Sequence, residues 1–379
     1  MKYLIIAGEP SGDLHASRLI SELAIADADA QFVFLGGDMM ARSAGKPPVI
    51  HYRDMAFMGF VEVAKNLSKI FSNLRVARKL LETERPDALI LVDYPSFNLK
   101  VAKTARRLGI PCYWYISPKI WAWKAWRVKA IRKYVRKVLC ILPFEPQWYK
   151  DHNYPHAEYV GNPTMEELGE ALANAPQRDE FLKEHRLRNR PIIALMPGSR
   201  KGEIADNLPI MNDVARQFPQ YNIVVAAAPG IPDEFYKKLT QFQVIRNASH
   251  AILAHSHAAL VTSGTATLEA AIARVPQVVL YRSNGSRISY QLMKPLLHIE
   301  FVSLPNLIAN ESVVPEMLLH FCTVENVAER LRLITPDNSP ERLQMLQGYE
   351  KIARMLSKPG AAANAAGAIF SQQHTQKSI

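Results

Sequence analysis

Short apolar runs alternate with amphipathic stretches along most of the chain, and this alternation predicts a sheet of parallel strands in each half. In the first half we expect strands at residues 3–7, 32–35, 87–92, 110–116 and 138–142, with helices at 14–26, 98–108 and 125–135. In the second half we expect strands at 191–196, 221–227, 258–262 and 277–281, with helices at 203–217, 233–240 and 265–273. Strands that alternate with helices are typical of doubly wound α/β domains.

The stretch 161–190 is polar, lacks strand signals and contains Pro163 and Pro176, so we interpret it as the join between two domains. The tail from 341 to 370 has a helical period. We therefore predict an N-terminal domain over 1–165, a second domain over 166–340, and C-terminal helices over 341–379 that could pack back on the first domain.

Composition agrees with a cytoplasmic, globular protein of two domains. The chain has 379 residues, 48% hydrophobic and 21% charged, which is more than one ordinary domain needs. Its three cysteines, Cys112, Cys140 and Cys322, are too widely separated for a disulfide framework or a metal site, which favours a reducing compartment. The first apolar run is too short for a signal peptide, and no run approaches the ~18 residues of a membrane span.

Positive charge is concentrated in the first half of the chain. The net charge is +11, and residues 1–160 hold 24 Lys and Arg against 15 Asp and Glu. A basic half predicts an acidic partner, which leaves nucleic acid, anionic lipid and a phosphorylated substrate open.

Two strand–turn–helix segments in the second half are candidates for binding phosphate. The first turn is Pro197-Gly198-Ser199-Arg200, here called the PGSR loop, where backbone N–H groups and an Arg fork would face one anion. The second turn is Ser263-Gly264-Thr265, here called the SGT turn, and Glu269 follows one helical turn later. A carboxylate there can accept two hydrogen bonds from a ribose diol. An ordinary βα turn with a surface Arg, or a helix cap with a surface Glu, remains the alternative for each taken alone.

Asp93 ends the predicted strand 87–92 and is the candidate general base. Ligands of doubly wound sheets lie beyond the carboxyl ends of the strands, and Glu9, Ser11 and Gly12 follow the first strand at the same edge. A carboxylate in such a crevice can accept a proton during catalysis. Capping of the helix predicted from Asn98 is the alternative, although five residues is a long way for a cap.

Residues 119–137 hold eight Lys and Arg and no acidic residue, and tryptophans lie at 114, 121, 123 and 126. Basic and aromatic residues in alternation are typical of nucleic-acid stacking surfaces and also of membrane interfaces, and a solvated basic face is the third interpretation.

The stretch 57–79 predicts a basic amphipathic helix. Apolar residues at 60, 63, 67, 70, 71 and 74 fall on one helical face, and basic residues flank them. A helix that packs against the core is the general expectation for such a pattern, whereas the basic flanks favour an interfacial helix. Asp27 and Asp29 are expected in a surface loop, and we predict no metal site.

Eight motifs, in order along nearly the whole chain, resemble lipid A disaccharide synthases. They begin at Ala7, Met58, Val92, Ser117, Leu142, Pro197, Ser263 and Leu304, and read AGEPSGD, MGFVEV, VDYPSFN, SPKIWAW, LPFE, PGSR followed by Glu203-Ile204, SGTATLE and LPNLI. The resemblance implies the GT-B fold, in which two Rossmann-like doubly wound domains face a cleft. The first domain would face the acceptor and the membrane, and the second would bind the UDP-sugar.

The resemblance also implies the reaction. An inverting glycosyltransferase of this kind moves 2,3-diacylglucosamine from its UDP carrier to 2,3-diacylglucosamine 1-phosphate, which gives the β-1,6-linked precursor of lipid A and UDP. The family's proposed catalytic base matches Asp93, and residues important for its activity match Arg200 and Asn306. The residues expected at the substrate and UDP sites are Ser11, Gly12, Gly198, Ser199, Arg200, Ser263, Gly264, Thr265, Glu269 and Asn306.

Both substrates of such an enzyme carry acyl chains, so the protein must dock on an anionic membrane surface. This favours the interfacial interpretation of the 57–79 stretch, with the membrane-facing residues Val61, Val63, Leu67, Ile70 and Phe71. We expect attachment to the cytoplasmic side of the inner membrane, no cofactor, no nucleic-acid partner, and a second copy of the chain as a candidate partner. The alternatives are a soluble GT-B enzyme such as a UDP-GlcNAc 2-epimerase, and a nucleic-acid-binding protein that uses the Trp-rich basic helix.

Overall fold

The two groups of apolar runs form two separate sheets, and every strand pair in them is parallel. The computed structural model describes residues 1–55, 66–122, 124–282 and 300–377, with side chains as far as residue 371. The chain divides into two compact units, which are Met1–Pro163 together with Lys358–Ile379, and Thr164–Ser357.

The first unit contains a seven-stranded sheet in the order β3-β2-β1-β4-β5-β6-β7. Its strands are β1 (Lys2–Ala7), β2 (Gln31–Gly36), β3 (Ile50–His51), β4 (Ala88–Val92), β5 (Cys112–Tyr115), β6 (Lys137–Cys140) and β7 (Ala157–Tyr159). The helices that connect them are α1 (Pro10–Ala26), α2 (Asp38–Ala44), α3 (Leu67–Glu84), α4 (Pro95–Arg107), α5 (Val128–Tyr134) and α6 (Glu145–Asp151). The predicted helix 125–135 opens as a 3-10 turn, Ala125–Arg127, before α5.

The continuous apolar run of β1 is explained by burial of the sheet on both faces. Leu4 and Ile6 point into one core cluster, which α3, α4 and α5 cover, while Tyr3 and Ile5 point into the other, beneath α1. A strand that is covered on both sides has no polar face, and its sequence therefore shows a run instead of an alternation.

The second unit contains a six-stranded sheet in the order β10-β9-β8-β11-β12-β13. Its strands are β8 (Ile192–Met196), β9 (Asn222–Ala227), β10 (Gln243–Arg246), β11 (Ser256–Thr262), β12 (Gln277–Tyr281) and β13 (Glu316–Leu318). The helices are α7 (Pro163–Ala173), α8 (Arg178–Glu184), α9 (Lys201–Ala215), α10 (Asp233–Lys237), α11 (Ser249–His255), α12 (Thr265–Ile272), α13 (Leu304–Ala309), α14 (Val324–Ile334) and α15 (Pro340–Met355). The polar stretch 161–190 thus contains two helices.

The C-terminal tail is divided between the units. α15 belongs to the second unit, and after Gly360 a last helix, α16 (Ala361–Lys377), belongs to the first. α16 packs on α1, and its buried residues Ala365 and Ile369 complete the core cluster of Tyr3 and Ile5. The amide of Asn364 donates a hydrogen bond to the carbonyl of Val160 (2.8 Å), which ties the helix to the end of β7.

Each sheet reverses its strand order at one point, and ligand sites of doubly wound sheets form at such points. In the first sheet the reversal lies between β1 and β4, whose carboxyl ends carry Glu9 and Asp93. In the second it lies between β8 and β11, whose carboxyl ends carry the PGSR loop and the SGT turn. The fold therefore brings the predicted chemical residues of each half to the edge where a ligand would bind.

Candidate active site

Asp93 lies directly after β4 on unusual backbone. Asp93 and Tyr94 both have left-handed conformations, with φ of 44° and 47°, which cost free energy in residues that carry a Cβ. Helix α4 then begins at Pro95, three residues earlier than predicted, and Tyr94 takes the N-cap position without a side-chain cap. The amide of the buried Asn98 donates a hydrogen bond to the Asp93 carbonyl (2.7 Å), which holds the strained turn in place. Capping does not account for Asp93.

The Tyr94 side chain fixes the same turn from the other side. Its ring lies against Gly8, where an added Cβ would come within 2.5 Å of the ring carbons. Its hydroxyl donates to the Met55 carbonyl (2.7 Å), and its ring stacks on Phe97 at 5.5 Å between centroids. Gly8 is required here because no larger residue leaves room for the ring that precedes the helix.

The surroundings of Asp93 suit a general base. Burial raises the pKa of the Asp93 carboxyl, because the ionised form loses hydration. The positive charge of Lys119, the N–H of Tyr94 and the charge of His15 act in the opposite direction and lower this pKa. The half-buried carboxyl is thus poorly hydrated, and nearby positive charge favours its ionised, proton-accepting form.

Ser11 and Gly12 lie in the first turn of α1, beside Asp93 at the edge of the first sheet. Ser11 is exposed, and Gly12 is buried against Ala7. Asp13 in the same motif was not predicted, and it has a structural role. Its buried carboxylate accepts hydrogen bonds from the backbone N–H groups of Gly37 (2.7 Å), Met39 and Met40 (both 3.1 Å) at the start of α2.

The interpretation of the tryptophans as a stacking surface was wrong for two of them. Trp114 lies in β5 and is fully buried, and Trp121 is buried beside Phe144. Trp126 is 66% exposed, with the guanidinium of Arg127 over its ring at 5.7 Å, while residue 123 lies outside the described residues. Two of the three tryptophans that the structure describes here are therefore core residues, which weakens the case for a nucleic-acid surface.

In the second unit, the PGSR loop joins β8 to α9, which begins at Lys201. Gly198 has φ of 115°, and a Cβ there would come within 2.8 Å of Glu203. The carboxylate of Glu203 accepts hydrogen bonds from the Ser199 N–H (3.1 Å) and from Nη1 of Arg200 (2.9 Å). The expectation of free amides was thus wrong for Ser199. The side chain of Arg200 is 62% exposed and retains further donors for an anion.

The SGT turn lies at the end of β11, where Gly264 forms the N-cap of α12 without a side-chain cap. Gly264 and Thr265 are exposed, and the hydroxyl of Ser263 donates weakly to the Val302 carbonyl (3.4 Å). Burial raises the pKa of Glu269, the charge of His250 lowers it, and Glu167 raises it further. Within the described parts of the chain no group donates a hydrogen bond to the Glu269 carboxyl, so it can accept one from a ligand.

Asn306 is buried at the start of α13, and its amide is fully used inside the protein. Its nitrogen donates to the Val314 carbonyl and to Glu316 Oε1 (both 2.9 Å), and its oxygen accepts from the N–H groups of Val313 and Val314 (both 2.8 Å). An amide with four such bonds has no capacity left for a ligand. Asn306 therefore orders the loop around α13, and its role at the substrate site stays a prediction.

Glu316 was not predicted, although it organises the same loop. Its carboxylate accepts hydrogen bonds from the N–H groups of Val302 (3.1 Å) and Ser303 (2.8 Å) and from the Ser303 hydroxyl (2.6 Å). Val302 is also the acceptor of the Ser263 hydroxyl, so Glu316 links this loop to the SGT turn. A lone Glu in a short edge strand has no motif that would signal this role.

Of the predicted membrane-facing residues, Val61 and Val63 lie outside the described residues. Leu67 and Phe71 on α3 are exposed, by 46% and 58%. Ile70 is half-buried and packs against the core, as Leu74 does more completely, so the exposed apolar part of this helix is narrower than predicted. Among the described helices, none combines the length and apolar character needed to cross a bilayer.

Comparison with known proteins agrees with the arrangement of these motifs. A family model described as lipid-A-disaccharide synthetase matches residues 3–362. The chain is 36% identical to the lipid-A-disaccharide synthase of Solibacter usitatus, with both chains covered completely. It is also 36% identical to that of Myxococcus xanthus, with 97% of each chain covered.

Among solved structures, similar ones include the UDP-GlcNAc 2-epimerase from Neisseria meningitidis bound to UDP-GlcNAc. It has a TM-score of 0.65 and 14% identity, and the match covers 99% of this chain and 100% of that one. The glycosyltransferase of kitacinnamycin has a TM-score of 0.61 and 14% identity, with 98% of each chain covered. At such identity these structures support the GT-B fold alone, so the epimerase alternative gains nothing from them. The chain belongs to the lipid-A-disaccharide synthase family, and the protein is a glycosyltransferase of lipid A biosynthesis.

Proposed function

We propose that the protein transfers 2,3-diacylglucosamine from UDP-2,3-diacylglucosamine to 2,3-diacylglucosamine 1-phosphate. The products are the β-1,6-linked lipid A disaccharide 1-phosphate and UDP, and the configuration at the anomeric carbon is inverted. In this reaction the acceptor hydroxyl oxygen bonds to the anomeric carbon while the bond from that carbon to UDP breaks. The hydroxyl proton must leave as the new bond forms, so a base is needed on the acceptor side.

The observation that carries the proposal is the Asp93 carboxyl. It is half-buried at the point where the first sheet reverses its order, and Gly8, Tyr94 and Asn98 hold the turn that presents it. A base held in one orientation avoids the cost of ordering it during the reaction. We assign Asp93 as the residue that accepts the acceptor proton, with Ser11 and Gly12 beside it as substrate-binding residues.

We assign the UDP site to the second unit. The diphosphate would bind at Gly198, Ser199 and Arg200, where the first turn of the 15-residue helix α9 adds the positive end of its dipole. The ribose hydroxyls would bind Glu269, next to Ser263, Gly264 and Thr265. The exposed guanidinium of Arg200 then meets the negative charge that develops on departing UDP. The proposal assigns this charge stabilisation to protein groups, without a metal ion.

The substrates' acyl chains require contact with the membrane. We propose that Leu67 and Phe71, with Val61 and Val63, dock the protein on the anionic cytoplasmic face of the inner membrane. The basic character of the first half supports this, because anionic lipids attract Lys and Arg near their surface.

The experiment that tests the reaction supplies both acylated sugars to the purified protein, with and without a chelator, and follows UDP release and the linkage of the product. We expect UDP release only when both sugars are present, and equal rates with chelator. Asp93→Asn should lower turnover by about 10²- to 10⁴-fold, the usual contribution of a general base, and leave UDP binding unchanged.

Asp29→Asn is the matched control, because Asp29 is an exposed carboxylate in the turn after α1, and it should retain full turnover. Near-normal turnover by Asp93→Asn would remove Asp93 as the base. Conversion of UDP-GlcNAc to its UDP-linked C2 epimer without an acceptor would favour an epimerase-like enzyme instead.

A further inference from the structure

Lys119 is an exposed residue inside an otherwise buried segment. Ser117, Pro118, Ile120 and Trp121 on either side of it are buried, and Ile120 belongs to the main core of the first unit. The position of the Lys119 backbone is therefore set by its neighbours, although its side chain lies in solvent. β5, which this segment follows, pairs with β4 so that Tyr115 lies opposite Val92, and Lys119 and Asp93 therefore leave the sheet at the same edge. In this position the Lys119 charge is the largest influence that lowers the pKa of Asp93.

A buried carboxylate holds this segment. Oε1 of Glu145 accepts a hydrogen bond from the indole N–H of Trp121 (3.0 Å). Oε2 accepts from the N–H groups of Leu142 (3.0 Å) and Ile141 (3.2 Å), at the end of β6. Glu145 is 1% exposed, so these three donors replace the hydrogen bonds that water would make to an exposed carboxylate. One side chain thus fastens the segment after β5 to the turn after β6.

Two further contacts make the attachment specific. The ring of Trp121 meets the ring of Phe144 edge-on, with 5.0 Å between centroids. The hydroxyl of Ser117 lies 2.8 Å from the hydroxyl of Tyr149, on the helix that Glu145 begins. Both ends of the segment that carries Lys119 are therefore bonded to α6, and the proposed reaction gives Glu145 itself no chemical role.

We propose that Glu145 is a positioning residue for the transfer reaction: by fixing Trp121, it holds Lys119 where the ammonium charge acts on the Asp93 carboxyl. The proposal rests on the proposed function, because it assumes that Asp93 is the base. The groups that act on Asp93 are Lys119, His15 and the N–H of Tyr94. Those that face Glu145 are Trp121, Ser117, the amides of Ile141 and Leu142, Cys140 and Tyr149.

The test is the pH dependence of turnover in Glu145→Gln. The glutamine amide turns a donor towards either Trp121 or the two backbone N–H groups, so one attachment is lost. Lys119 then moves away, the pKa of Asp93 rises, and the acidic limb of the turnover profile shifts to higher pH. The alkaline plateau and the KM for the UDP-sugar should change little. Glu158→Gln, which removes the half-exposed partner of Lys137, is the matched control and should leave the profile in place.

A cycle with Lys119 separates positioning from a general structural effect. Lys119→Met should shift the acidic limb in the same direction as Glu145→Gln does. The double variant should shift it no further than Lys119→Met alone. Lys119→Arg, which keeps the positive charge, should have the profile of the wild type. The proposal would be overturned if Glu145→Gln shifted the acidic limb equally in the wild type and in Lys119→Met. It would also be overturned if Glu145→Gln lowered the alkaline plateau without shifting the limb.

Trp121→Phe provides a second route if Glu145→Gln does not fold. It removes the indole donor and keeps an aromatic ring against Phe144, so the same shift of the limb is expected, and an unmoved limb would count against the proposal. Failure of the proposed function gives a different result, because Asp93→Asn would then retain turnover. If Asp93→Asn is inactive and the Lys119 cycle shows no coupling, the base assignment stands and the role of Glu145 is rejected.

Discussion

The two carboxyl edges of this protein differ in structure, and the proposed function gives them different roles. At the first edge, Asp93 sits on strained backbone that a tyrosine ring, a glycine and a buried asparagine hold in one conformation. At the second edge, Arg200, Gly264 and Thr265 are exposed, and among the described residues Glu203 accepts a hydrogen bond from the guanidinium of Arg200. A residue that must accept a proton benefits from fixed geometry and poor hydration, whereas a site that must admit a charged nucleotide benefits from accessible donors.

Beneath this difference the edges share one device. In each unit one carboxylate accepts hydrogen bonds from backbone N–H groups and from a side-chain donor, and these bonds order a loop in one of the sequence motifs. The carboxylate is Glu145 in the first unit and Glu316 in the second. In the first unit the carboxylate of Glu145 is also completely buried, so the order of the loop that it holds depends on whether Glu145 is protonated. The comparison therefore predicts that changes at the first edge affect turnover and pH response, and that changes at the second affect nucleotide affinity.

The largest expected effect is on the pH dependence of stability. Burial raises the pKa of Glu145 from its usual 4.5 to about 7, against the hydrogen bonds that lower it. The folded protein therefore holds a proton that the unfolded chain releases, so this contribution is complete below pH 4.5 and is lost as the pH rises through 7. The shift corresponds to about 3 kcal/mol of unfolding free energy. Urea unfolding of Glu145→Gln across this range should lack that decline, and parallel slopes for the two proteins would contradict the prediction.

The second prediction concerns Gly8→Ala. The new Cβ would come within 2.5 Å of the Tyr94 ring, so the ring and the adjoining Asp93 must move. We expect kcat to fall by about 100-fold, as for a misplaced catalytic group, with unchanged affinity for UDP. Gly169→Ala is the control, because a Cβ at Gly169 meets open space, and steady-state kinetics should not distinguish it from the wild type. Normal turnover in Gly8→Ala would mean that the first edge is not rigid.

The third prediction concerns the second edge. Arg200→Ala should weaken UDP binding by about 30-fold, because a charge-assisted hydrogen bond contributes about 2 kcal/mol. Arg216→Ala is the matched control, since Arg216 is exposed at the other end of α9 and also pairs with an acidic residue three positions away. Titration calorimetry with UDP measures both. Equal affinities would move the phosphate site away from the PGSR loop.

The sequence was sufficient to predict the inner strands of both sheets and the strand ends at which the candidate residues lie. Buried parallel strands appear in the sequence as apolar runs. Asp93, Arg200 and Ser263 each follow such a run closely, which was enough to place them at the carboxyl ends of strands. The four strands at the sheet edges, Ile50–His51, Ala157–Tyr159, Gln243–Arg246 and Glu316–Leu318, were not predicted, because two to four residues are too short to show a period. The buried Trp114 could have been recognised, since it falls within the predicted strand 110–116.

The contacts between individual side chains could not be predicted from the sequence. The contact of Gly8 with Tyr94, the bond of Glu203 to Ser199 and the four bonds of Asn306 depend on tertiary distances that no local pattern contains. Motif resemblance drew attention to Asn306 without distinguishing a ligand contact from a loop support. Glu316, which stands outside every motif, shows the limit most clearly, because only the folded edge reveals what it binds.

The smallest expected effect concerns membrane docking. Two equally exposed phenylalanines, one in each unit, can show whether only the first unit binds the bilayer. Phe71 on α3 and Phe321 in the second unit are each 58% exposed, so replacing either with Ser costs little folding stability. We expect Phe71→Ser to weaken binding to anionic vesicles by about tenfold, from the lost burial of one aromatic side chain in the bilayer. Phe321→Ser should bind as the wild type does in the same sedimentation assay. If both variants lose affinity equally, the bilayer does not select the first unit, and the proposed docking helix would have to be abandoned.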